Sequence, residues 1–88
     1  MATGIVVYSL AVSSSNSSQT LSPAAYMVKI RNDGTTTCYI NLNGAATTSM
    51  MELKADEEIE LGLNTISTVQ AITSSGTTTL TILAVDAW

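Results

Sequence analysis

The chain contains no histidine and a single cysteine, Cys38, and these two shortages remove most of the chemistry a small domain can carry. Without histidine there is no ordinary base to activate a serine or cysteine nucleophile, and the commonest ligand for zinc or copper is missing. One cysteine cannot close an intrachain disulfide. Phenylalanine is also absent, and three tyrosines with one tryptophan are a thin supply for the aromatic platform on which a glycan-binding sandwich stacks sugars. Lys and Arg number three against seven Asp and Glu, a net charge of -4. That is the wrong sign and too sparse for a phosphate-binding surface, so nucleic acid is not an expected partner. No apolar stretch approaches the ~20 residues needed to cross a bilayer, and no Lys or Arg precedes the first apolar run as it would in a signal peptide. The expectation is a soluble protein made in a cytoplasm, off the membrane, with Cys38 reduced and no metal or other cofactor.

What is present is size for one domain and a composition suited to strands. At 88 residues the chain, read as a single β domain over 1–88, buries only about 60–65% of the surface its unfolded form exposes. Small domains of this kind gain stability from disulfides, metals or partner subunits; the composition argues against the first two, which leaves association and the expectation of a homo-oligomer. Ser and Thr far outnumber the ten charged residues, so neutral polar groups supply the solubility, and Thr and Val favour strands.

Gly4 to Val12 reads as a first strand, apolar on both faces: Val6, Tyr8, Leu10 and Val12 on one, Ile5, Val7 and Ala11 on the other. The Ser-rich stretch 13–23, ending at the only proline, reads as a surface connection. Tyr26, Val28 and Ile30 alternate with Met27, Lys29 and Arg31 as in a half-buried strand. Asn32, Asp33 and Gly34 supply residue types for a tight hairpin. Thr36 to Leu42 returns with Cys38, Ile40 and Leu42 in phase, and a second turn follows at 42–49. Met50 to Leu53 is a short apolar piece, 54–58 a charged turn, and Glu58 to Leu63 and Ile66 to Thr73 are two further strands. A hairpin at Gly76 leads to the last strand, about Thr78 to Val85. No apolar periodicity supports a long helix. Six to seven short strands with regular turn signals predict an all-β protein, a small antiparallel β-sandwich or jelly-roll-like barrel.

Catalytic residues are not expected. Lys29, Lys54 and the N-terminus are the amine bases, neither lysine lies in a recognisable motif, and Cys38 in phase with Ile40 and Leu42 reads as a core residue. Asp56, Glu58 and Glu60 would share one face of an extended strand. Their spacing is unlike a 12-residue calcium loop, and they read as a solvated face that discourages stray strand pairing. Tyr8 and Tyr26 fall in phase with the core, leaving Tyr39 and Trp88 as aromatics free to meet a ligand. In the final strand Leu80, Ile82 and Ala84 form one face, while the other runs Thr79, Thr81, Leu83, Val85, from polar to apolar. A strand apolar on both sides must be covered on both. Ile5, Val7, Leu83, Val85 and Trp88 are therefore the expected contact with another chain, within the segments Ile5–Leu10 and Leu83–Trp88, Trp88 serving as an aromatic anchor. The alternative use of Trp88 is to fold back over the open end of its own core.

Residues 28–84, VKIRNDGTTTCYINLNGAATTSMMELKADEEIELGLNTISTVQAITSSGTTTLTILA, resemble small structural proteins of tailed-phage virions. The features in common are a strand ending in Asn and Gly, an LNGAAT-like turn, an acidic turn before an alternating strand, and VQAITSSGTTTLTILA-like final strands. The resemblance implies a sandwich or jelly-roll-like fold, no catalytic residues, and attachment to capsid or tail, often as trimers; the shared positions form the fold and carry no site residue. The function so implied is non-enzymatic: a capsid decoration or cement protein that binds the major capsid protein or another virion protein, located in the virion after assembly in the host cytoplasm. A tail or fibre component, or a glycan-binding host-recognition module, is the alternative, and a bacterial surface or adhesion domain is a third.

Overall fold

The computed structural model describes residues 4–86. Six strands follow one another: β1 (Ile5–Val12), β2 (Ser17–Asn32), β3 (Cys38–Leu42), β4 (Met51–Leu53), β5 (Glu58–Thr73) and β6 (Thr78–Val85), with no helix among the described residues. All pairings are antiparallel and the hydrogen-bonded order is β1-β6-β2-β5-β3-β4. The 16-residue strands β2 and β5 are each too long to stay in one layer. Ser17–Thr20 pairs with Thr68–Ala71, the register shifts between Thr20 and Ala25 and again between Ala25 and Met27, and Met27–Arg31 then pairs with Glu58–Gly62. Beyond that break β6 flanks the second half of β2, and β3 flanks the second half of β5. Two four-stranded layers result, one of β1, β6, late β2 and early β5, the other of early β2, late β5, β3 and β4. This is a β-sandwich-like arrangement, the small all-β fold that the strand pattern predicted.

The core lies between the layers. Val28, Ile30, Cys38, Ile66, Val69, Ala71, Leu80 and Ile82 have no exposed surface, and Leu53 and Val12 almost none. Each comes from a strand whose alternate residues face out, which is how an antiparallel layer with one wet side must read.

Four expectations fail, each for a physical reason. The 13–23 segment is not a connection over its whole length, because β2 begins at Ser17; backbone pairing with β5 needs no apolar side chain, and Pro23, which has no N–H to donate, sits in the gap between the paired residues Thr20 and Ala25. The turn at Asn32–Gly34 joins no hairpin, since β2 and β3 are not neighbours. None of its three residues has positive φ; Gly34 is required there by space, because a Cβ would stand 2.0 Å from the Thr78 hydroxyl. Gly76 does adopt φ +79, yet its turn also passes between non-adjacent strands, β5 and β6. The two strands expected over Glu58–Leu63 and Ile66–Thr73 are one, bent where its ladder with β2 is interrupted. Of consecutive strands, only β3 and β4 pair directly.

Candidate functional site

The outer face of the β1-β6-β2 layer divides into an apolar and a polar half. On β1 the residues Ile5, Val7, Ser9 and Ala11 point outward; Ile5 and Val7 are 62% and 61% exposed. Register places Val85 beside Ile5 and Leu83 beside Val7, and Met27 beside Val85 on the next strand. Further along the same strands come Ser9 with Thr81 and Ala11 with Thr79, then Lys29 and Arg31 on β2 opposite Glu60 and Glu58 on β5. The charges pair among themselves: Lys29 Nζ lies 3.4 Å from Glu58 Oε1 and Arg31 Nε lies 3.0 Å from Asp33 Oδ1, while the Thr81 hydroxyl donates to Asp33 Oδ2. At the apolar end Asp86 N donates to Gly4 O (2.8 Å) and Gly4 N to Asp86 Oδ1 (2.5 Å), which clasps the first described residues to the last. The alternation of Leu83 and Val85 with buried neighbours thus brings four of the five expected contact residues, Ile5, Val7, Leu83 and Val85, onto one patch. The fifth, Trp88, lies outside the described residues.

The residues weighed for other chemistry lie elsewhere. Cys38 is fully buried, and desolvation pushes its thiol up to about 11; a protonated, covered thiol is a poor nucleophile. Asp56 does not share a strand face with Glu58 and Glu60, because it occupies the turn before β5 at φ 64. Among the described residues no three His, Cys, Asp or Glu side chains are grouped to hold a metal ion. Tyr8 packs partly buried against the core, its hydroxyl accepting from Ser22 N at 3.1 Å. Tyr26 is 41% exposed, contrary to its reading as a core residue. The register shift between Ala25 and Met27 changes parity, so that Ala25 and Val28, three residues apart, both face inward. Tyr39 is half-buried in β3.

Sequence reasoning missed one feature altogether. Between β3, the start of β4 and early β5, a groove of about 300 Å³ is lined by Ile40, Leu42, Met50, Met51, Leu61 and Leu63, with Met50, Met51 and Leu63 exposed. The adjacent methionines were its only local sign.

No protein-family model matches the chain, and no curated protein matches it. Solved structures do. The chain is similar to an ethanolamine utilization protein Q of Salmonella typhimurium at 10% identity and a TM-score of 0.61, over 98% of this chain and 61% of that one. An HTH_3 family transcriptional regulator from Vibrio cholerae gives 10% identity and 0.64, over 98% of this chain and 45% of that one. PirA gives 11% and 0.58 over 90% and 92%. The chain therefore spans less than two thirds of the first two proteins, and at these identities the likeness is one of fold alone.

Proposed function

We propose that this chain is a non-enzymatic structural protein of a tailed-phage virion, of the capsid decoration or cement kind, that works by covering surface on the major capsid protein or another virion protein. The observation that carries the reading is the apolar half of the outer β1-β6-β2 face, where the exposed Ile5 and Val7 stand beside the half-buried Leu83, Val85 and Met27, on a domain that has polar groups to spare elsewhere. A patch of that composition is stabilised by contact with a partner surface. Repeated over a shell, even a weak contact per copy resists expansion through avidity. The resemblance over residues 28–84 supports the same reading, and Cys38 is out of reach of substrates. Labelling and counting on purified particles tests it: decoration predicts label over the whole capsid and copies in the hundreds. Label confined to the tail would replace decoration with a tail or fibre role, and absence from particles would remove the virion reading.

A further inference from the structure

We infer that the free edge of β1 is a pairing site for a second copy of this chain, joined antiparallel about a two-fold axis at Tyr8, so that the β1-β6-β2-β5 layer continues across two molecules. The inference does not depend on a virion role.

It starts from the direction of the backbone groups. Asp86 N donates to Gly4 O, and the register continues from there as Ile5 with Val85 and Val6 with Ala84. Antiparallel residues alternate in the side to which both their N–H and C=O turn. Gly4, Val6, Tyr8, Leu10 and Val12 therefore turn theirs to β6, and Ile5, Val7, Ser9 and Ala11 turn theirs to the edge, where β1 ends the strand order. All four of these residues are exposed.

An open edge invites pairing, and proteins ordinarily blunt it with shortness, charge or proline. The other edges of this sandwich have such devices. β4 is three residues long and carries Glu52; early β5 presents Glu58 and Glu60; early β2 runs into Pro23. β1 has none of them: eight residues, IVVYSLAV, with no charge and no proline. At ~3.4 Å per residue it offers an edge of about 27 Å on a molecule 39 Å long.

A register that complements itself, together with the placement of the acids, favours a second copy as the occupant. Two chains of net charge -4 repel, but five of the seven acids, Glu52, Asp56, Glu57, Glu58 and Glu60, lie on β4, early β5 and the turn between them. Early β5 is three strands from β1 in its layer, about 14 Å, farther than the ~10 Å Debye length at 0.1 M salt. Approach through β1 is the approach that keeps the acidic sides apart. The register follows from using every free group: centring on Tyr8 sets Ile5 against Ala11 of the second copy and Val7 against Ser9, large side chains over small ones on the outer face. Those pairs exchange about eight backbone hydrogen bonds. A slip by one residue would turn outward side chains against inward ones. Against the 22 and 16 Å breadths of the molecule, an edge of about 27 Å offers roughly 430–600 Å², less than the ~800 Å² per partner of a standard interface, so the expected dimer is a weak, concentration-dependent one.

The test is sedimentation of the full chain across concentration, with amide exchange read residue by residue. The expected result is a monomer–dimer equilibrium little changed by salt, in which the amides of Val7, Ser9 and Ala11 exchange more slowly as dimer forms while those of Tyr8 and Leu10 do not change. Val7→Pro removes an edge donor without touching the β6 ladder and is expected to weaken dimerisation at least ~tenfold; Ser9→Lys, at an exposed position, serves if the proline variant fails to fold. A chain monomeric at millimolar concentration, a trimer, or a dimer whose β1 amides are indifferent to concentration would overturn the inference. None of these results bears on whether particles carry the protein.

Discussion

Asn32 is the residue on which most separate parts of the molecule converge. Its side chain is fully buried; the amide donates to Thr36 O at 2.8 Å and Leu53 O at 3.1 Å, and its oxygen accepts from Gly34 N at 3.1 Å and the Thr78 hydroxyl at 2.5 Å. One side chain thus ties the end of β2 to β4 and the start of β6. Asn32→Ala leaves these groups without partners in a dry site, and urea unfolding is expected to show a loss of about 2–4 kcal/mol, with a fall of about 10–20 °C in Tm. Cys38 gives a different signature. Its thiol is raised to about 11 from an ordinary 9.0, so between those values the unfolded chain loses a proton that the folded one keeps. Stability is then full below pH 9 and falls as pH rises toward 11. Cys38→Ala is expected to remove that component of the fall, at the cost of a small cavity, and urea titrations from pH 8 to 11 check it.

At the scale of elements, the clasp between Gly4 and Asp86 fastens the open ends of β1 and β6. Asp86→Ala is expected to speed amide exchange at Val6 and Ala84, near the clasp, while Ile30 in mid-layer keeps its protection. Removing residues 87–88 spares the clasp, so this shorter chain should stay folded; if Trp88 anchors a partner, it loses particle binding alone. How far the elements could be read from the sequence varied with what fixes them. β3, β6 and late β2 were legible because one wall of each is core, and alternation such as Cys38, Ile40 records that directly. Early β2 was not, since Ser17–Thr20 is held by a backbone ladder whose partner lies some 50 residues away in Thr68–Ala71. Turn residues at 32–34 and 76 marked where the chain leaves a strand but carried no information on which strand it meets next. The candidate patch was legible for the same reason as β3: Leu83 and Val85 break the polar outward series begun by Thr79 and Thr81. The methionine groove was not, because it is built from residues of β3, β4 and early β5 that only the folded chain brings together.

For the whole molecule, five of the seven acids lie at β4, early β5 and the turn between them, away from the neutral strand at β1. That polarity is one of charge and not of apolar surface, since the groove of Met50, Met51 and Leu63 lies on the acidic side. The sharing of β2 and β5 between both layers has a further consequence, for the order in which the structure can form. Neither layer owns all its strands, so neither can assemble or melt while the other is absent. Because β3 and β4 are the only consecutive strands that pair, almost every ladder must also wait for distant chain to arrive. The loop entropy lost in bringing it there is repaid only when the partners meet. Folding is expected to be slow for the size, in the millisecond-to-second range of non-local β topologies. Tyrosine fluorescence and far-ultraviolet dichroism should report one coincident unfolding transition; separate transitions would mean that the layers are independent. A protein built in this way is expected to have no half-folded resting state, so that its β1 edge is ordered for pairing only in the complete sandwich.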